Sequence, residues 1–295
     1  MIRLLSLCKP FFHAKPLFYV VLLLMSQPLL AGSDTFIDFE ATLGADDNVT
    51  RASKNVDIEY DGFLTLAGTG GYELYQGQSG TLTGKVLLQG SGFSRFNGLS
   101  NLAAAGKLNY TFGFGSGFGA PWFSLEMDYG VVEFESFLRD SNLFKASATM
   151  GMQIDDATSM RMGVAFKDRE AESSVFSTRN SSFFINMDWA VVKRHIIYVT
   201  YKYETGDIFS SASNPPLWLI DASEGNIVDD DVFIGKKAYK LDGTTQFGTL
   251  GYNWIMDLHS SFDFSARYLD AKADDVDLDY QGLTLLASYF HRFNL

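Results

Sequence analysis

Beyond the first thirty or so residues the sequence holds three histidines, His195, His259 and His291, and its single cysteine, Cys8, lies before them. Nucleophilic catalysis needs a histidine within hydrogen-bond reach of a hydroxyl or thiol and a third group that orients it. His195 in "VKRH" and His259 in "DLHSS" fall in short polar connections, and His291 falls in the last apolar run. They are not expected to converge. Glu126 and Asp128, two apart in "FSLEMDYGVV", share a face of a β-strand at roughly 7 Å, a spacing that suits a general acid and base. Comparable charge recurs on the same face of most other segments, so an ion-pair lattice accounts for the pair without catalysis. Gly115, Gly117 and Ala120 match G-x-G-x-x-A, but Pro121 and an alternating run follow where a dinucleotide site requires a helix. Acidic clusters stand at Asp46 and Asp47, at Asp229 to Asp231, and at Asp274, Asp275, Asp277 and Asp279, none with the twelve-residue pattern of a calcium loop. The sequence therefore predicts no catalytic residue, no metal site and no cofactor.

The elements that position these residues begin after a leader. Arg3, Lys9 and Lys15 precede the apolar run "LFYVVLLLM", and "PLLA" precedes Gly32, so residues 1–31 read as a signal peptide cleaved after Ala31. Its apolar run is shorter than the eighteen or so residues of a spanning helix. Removal of three positive charges moves the formal charge from −12 to −15, a balance that argues against nucleic acid as a partner. No later segment is apolar for long enough to form a transmembrane helix, and the mean hydropathy is +0.01.

Instead the chain alternates. Strands are expected over 36–43, 59–68, 81–89, 102–114, 122–132, 144–154, 160–167, 183–191, 196–204, 246–256, 262–270 and 283–295, twelve in all, with no competing helical period. Every second connection is short ("GSGFGA", "DDATS", "VKRH", "DLHSS"), whereas the others include "GADDNVTRASKNVDI", "DREAESSVFSTRNSS" and the long segment 205–245. On one parity, bulky rings gather at both strand ends, among them Trp189, Tyr252, Trp254 and Phe293 at one end and Tyr60, Tyr129, Tyr201 and Tyr268 at the other. Leu64, Leu108, Leu125, Met127, Val164 and Val199 lie between.

Sorted connections, two aromatic girdles and an aliphatic band resemble those of bacterial outer-membrane β-barrel proteins. The closing "LTLLASYFHRFNL" is similar to the C-terminal strand such proteins present to the barrel-assembly machinery, although it ends in Leu295 and places His291 on the apolar face. The resemblance implies an all-β fold: a transmembrane antiparallel up-and-down barrel of about twelve strands over residues 32–295. It also implies an integral position in the outer membrane of a Gram-negative bacterium, among lipid and lipopolysaccharide. An outer-membrane phospholipase, also a twelve-stranded barrel, is the enzyme alternative that the resemblance raises, and its histidine and serine, expected on the lipid-facing outer-leaflet side of neighbouring strands, have no match in this sequence.

On the opposite parity the lumen is expected to receive Lys85, Lys107, Glu126, Asp128, Lys145, Arg161, Asp188, Lys202, Glu204, Asp263, Arg267 and Arg292, because a charge on the lipid side costs several kcal/mol. The extracellular segment 205–245 contains "NPPLWLI"; Pro215, Pro216, Leu217 and Trp218 are too apolar for a loop that only meets solvent, and are expected to form a lid or constriction. A lumen lined by both signs of charge points to a porin-like channel for small polar or charged solutes. The alternative is a barrel plugged by its own ion pairs, structural or surface-binding, that displays loops. Twelve strands lie between filled barrels of about eight and open porins of about sixteen, so size does not choose.

Overall fold

The computed structural model describes residues 35–77, 80–115 and 117–294; the expected signal peptide lies outside them. Twelve antiparallel strands form the wall: β1 (Thr35–Asp46), β2 (Asp61–Gly77), β3 (Gly80–Phe93), β4 (Asn101–Gly113), β5 (Trp122–Phe134), β6 (Ser141–Gln153), β7 (Thr158–Ala171), β8 (Thr178–Val192), β9 (His195–Ala212), β11 (Lys237–Ile255), β12 (Ser260–Ala273) and β13 (Asp279–Asn294). Each pairs with its chain neighbour, β9 pairs with β11, and β13 closes onto β1 from Phe36↔Asn294 to Asp46↔Thr284. Closure leaves no open edge strand in the wall among the described residues. A three-residue strand β10 (Ile227–Asp229) and a short helix α1 (Leu217–Ala222) belong to the β9–β11 connection.

Alternation fixes the two faces. Leu125, Met127, Tyr129, Val164, Leu250 and Leu285 are each close to half exposed or more and share one face by register, which is the outer one. Such a continuous apolar belt is unfavourable in water and is the surface a bilayer requires. No helix among the described residues is long and apolar enough to cross a membrane, so the strands are the spanning elements.

The connections sort as the sequence predicts, but several are shorter than expected: β7 and β8 take up most of "DREAESSVFSTRNSS", leaving 172–177. At the end that carries both termini, periplasmic for an even strand number, the links are short: 114–121 between β4 and β5, 154–157, 193–194 and 256–259. The glycines of the G-x-G-x-x-A stretch lie in the first of these, Gly115 and Gly117 at φ +97° and +128°, a conformation open to glycine and not a helix start. At the other end, strands continue well past the aromatic girdle. The segment 205–245 is not one loop: its flanks pair from Glu204↔Thr245 to Ala212↔Lys237, leaving 213–236 as the connection. Small and polar residues in "TGDIFSSA" and "KAYKLDGTT" hide this extension from a hydropathy pattern, since strands that rise beyond lipid need no greasy face.

Candidate functional site: the lumen and its mouth

The inner face is built from the opposite parity. Successive registers Lys85↔Lys107, Lys107↔Asp128, Asp128↔Lys145 and Lys145↔Lys167 set five side chains in one row across β3 to β7. Lys107 lies 3.5 Å from Asp128, and Lys145 is shared between Glu126 at 3.4 Å and Asp128 at 3.8 Å. Further round the wall Arg161 meets Asp188 at 3.3 Å and donates to Asn186 Oδ1 at 3.0 Å, and Lys202 pairs with Glu204. Arg292 grips Asp38 with two hydrogen bonds of 2.7 and 2.8 Å and stacks on Phe36. Asp263 accepts a 2.9 Å hydrogen bond from Tyr198, whose ring lies flat on the wall because Gly251 is opposite: a Cβ there would stand 2.0 Å from it. Arg267 faces inward beside Thr249 and Thr284. All twelve residues of the expected lumen set thus share the inner face. Lys167 and Arg169 join them; Arg169 donates to Ser141 at 2.9 Å and covers the Phe134 ring.

The mouth holds residues that sequence reasoning did not find. Helix α1 starts after Pro216, whose ring suits the residue before a first helical turn. Leu217 and Trp218 of the expected lid are 78% and 50% exposed, whereas Leu219, 3% exposed, is the anchor. It packs with Ile208, Tyr239, Leu241, Ala271 and Tyr280, the inner faces of the outer ends of β9 and β11 to β13. From there the connection reaches round the rim. Phe233 meets Phe96 of the β3–β4 loop edge-on at 4.8 Å. Arg139 of the β5–β6 loop, 4% exposed, donates twice to Asp230 at 2.9 Å and once to Asp231 at 2.8 Å, under the Phe176 ring of the β7–β8 loop at 3.9 Å. Asp230 also accepts from Ser211 at 2.6 Å and from the Val232 amide at 2.9 Å. A second latch joins Lys236 to Asp57 of the β1–β2 loop at 3.2 Å, with the Ser213 amide donating to the same carboxylate at 2.9 Å. Burial raises the Asp57 pKa, but the Ser213 and Lys236 contacts outweigh it and hold the carboxyl below its ordinary value. Apart from the run Asp229 to Asp231, the signals were single charges in loops, with no period to expose them.

Two of the three histidines do approach each other, contrary to expectation. Ser260 is the register partner of His291, which brings the His259 and His291 rings to 6.5 Å at the periplasmic rim and Ser260 Oγ to 2.8 Å from His291 Nδ1. No carboxylate among the described residues hydrogen-bonds His291, and Ser260 is 6% exposed, its amide held by Asp257. His195 is elsewhere, bonded to Tyr252. Two of the three acidic clusters are engaged: Asp46 pairs with Arg51 at 2.7 Å, Asp47 accepts from the Leu283 amide, and Asp230 and Asp231 hold Arg139.

No family model and no curated protein matches the sequence. Among solved structures an outer-membrane channel from Pseudomonas putida F1 aligns at a TM-score of 0.56 and 9% identity, over 90% of this chain and 99% of that one. The NanC porin aligns at 0.44 and 3% identity, over 85% and 98% of the two chains, and an anion-selective porin from Comamonas acidovorans at 0.41 and 8%, over 88% and 98%. The first likeness carries the comparison, and it concerns the fold. A closed ring of twelve strands, an apolar outer belt and this shared architecture make the fold that of an integral outer-membrane β-barrel.

Proposed function

We propose that the barrel is a porin-like channel that passes small polar or charged solutes through a charged lumen, with segment 213–236 as its lid or constriction. One observation carries the reading: Arg161, Lys167 and Arg267 are on the inner face and still exposed, as charges in a water-filled passage are and charges in a plugged core are not. Outer-membrane lipid and lipopolysaccharide surround the belt in this reading, and β13 is the strand offered to the assembly machinery. The Pseudomonas putida outer-membrane channel gives a precedent for passage through this architecture.

The latches favour a second reading, a barrel closed at its mouth that serves as a structural or surface-binding protein. Planar-bilayer recording separates the two. Because Ala212 and Lys237 are register partners, residues 213–236 can be replaced by Asn-Gly, a two-residue hairpin turn. A channel gives discrete conductance steps, larger or more frequent in the shortened form. Silence from both proteins rejects the channel and leaves the closed barrel. Phospholipid hydrolysis lost on Ser260→Ala would instead support an outer-membrane lipid hydrolase.

A further inference from the structure

The two halves of the inner wall differ in charge. From β3 to β9 it carries seven basic side chains against four acidic ones, whereas from β11 round to β2, below the rim, Arg267 and Arg292 face Asp38, Glu40, Glu73 and Asp263. The excess on the basic side concentrates in the row of Lys85, Lys107, Lys145 and Lys167. Only Asp128 interrupts that row, and Glu126 stands one step below it. Lys85 and Lys167 have no carboxylate within 4 Å among the described residues. Asp128 is 8% exposed, and its Oδ1 accepts no hydrogen bond among them.

Lysines on adjacent strands stand roughly 4.8 Å apart at the backbone, close enough to repel in the absence of a counter-charge. A folded chain gains nothing from four such side chains in one row, and two carboxylates do not neutralise them. A solute with several negative charges does. The row presents one lysine pair, Lys85 with Lys107, and a second, Lys145 with Lys167, whose centres are three strands or roughly 14 Å apart along the wall. Compact ammonium groups on flexible stems suit carboxylate or phosphate oxygens without demanding one geometry, which is what transient passage requires. The acidic opposite half repels the same solute toward the row.

We infer that the Lys85–Lys167 row is a binding track for polyvalent oxyanions, small solutes that carry two or more carboxylates or phosphates. The inference rests on the channel reading for its biological sense, but it is tested by binding as well as by current. Inorganic tripolyphosphate is titrated calorimetrically into the full barrel in detergent, as wild type and with 213–236 shortened, with spermine as the polycation control. Lys85→Gln with Lys167→Gln removes the two unpaired charges, which relieves repulsion and leaves the barrel heat-modifiable on a gel. Lys272→Gln, on the outer face, changes the net charge elsewhere. The expected result is tripolyphosphate binding that weakens at least tenfold in the double variant, is unchanged in Lys272→Gln, and weakens with salt; spermine does not bind. Reversal potentials in a KCl gradient are expected to favour chloride in wild type and to move toward cations in the double variant. Binding without conductance would reject the channel and keep the track. Conductance without tripolyphosphate binding, or binding indifferent to the double variant, would reject the track and keep the channel.

Discussion

Two groups of charges in this molecule obey opposite rules. At the mouth Arg139 is buried, and its guanidinium is surrounded by acceptors from Ser136, Asp230 and Asp231. In the lumen Lys85 and Lys167 keep no carboxylate partner among the described residues, and Lys167 is exposed. A charge removed from water must be matched almost completely or the fold does not tolerate it, whereas a charge that water reaches can stay unmatched at little cost. The matched cluster marks where the β9–β11 connection is fastened to the rim, and in the channel reading the unmatched row marks where the lumen is wet.

The largest effect is expected where matching is complete. Arg139→Met strands Asp230 in a buried site and is expected to cost about 3–5 kcal/mol locally. The lid should detach without loss of the barrel, read as proteolytic nicking near Trp218 and a rise in conductance while the band on an unboiled gel is retained. Gly251→Ala comes next: the new Cβ meets the Tyr198 ring at 2.0 Å, and overpacking of that kind costs roughly 1–3 kcal/mol. Thermal unfolding in detergent should fall accordingly, and the Tyr198–Asp263 hydrogen bond should be lost.

The Asp57 latch gives a pH dependence of smaller size. Its folded pKa is depressed, so its contribution is complete above the ordinary value of about 3.9 and disappears as pH falls through the lower folded value. Lid protection against an acid-active protease should be constant from pH 7 to 5 and weaken only below about 4, with Asp57→Asn abolishing the dependence. At the bottom of the scale Arg179→Ala removes the exposed pair with Asp168 and should cost less than about 1 kcal/mol. A large loss there would blur the contrast between buried and solvated charge.

The wall was legible because a membrane-spanning strand writes its surroundings at a period of two: Leu125, Met127 and Tyr129 could only face lipid if Glu126 and Asp128 faced inward, and one register slip would reverse them all. The mouth was not legible for the same reason. Ile208 and Leu241 sit in strand extensions that no longer touch lipid, so their alternation lacks a greasy partner face. Arg139, Asp57 and the pair of Asp230 and Lys236 belong to three different connections, brought together by how these fold over the rim. "NPPLWLI" announced an apolar contact but not its anchor: Leu219 is buried and Trp218 half exposed. The meeting of His259 with His291 follows from the register of β12 on β13, which composition does not reveal.

Site-specific thiol labelling distinguishes a wet, charged lumen inside a lipid-facing belt from a dry one. Cys8 is the only cysteine, and it lies in the expected signal peptide, so single cysteines can be placed at Lys167, Arg267, Leu125 and Val164 without background in the barrel. In liposomes a charged, membrane-impermeant thiol reagent should label Lys167→Cys and Arg267→Cys, faster with residues 213–236 replaced by Asn-Gly, and should leave Leu125→Cys and Val164→Cys unlabelled. Labelling of the Leu125 and Val164 variants with protection of the other two would mean that the charged face is not the water-filled one.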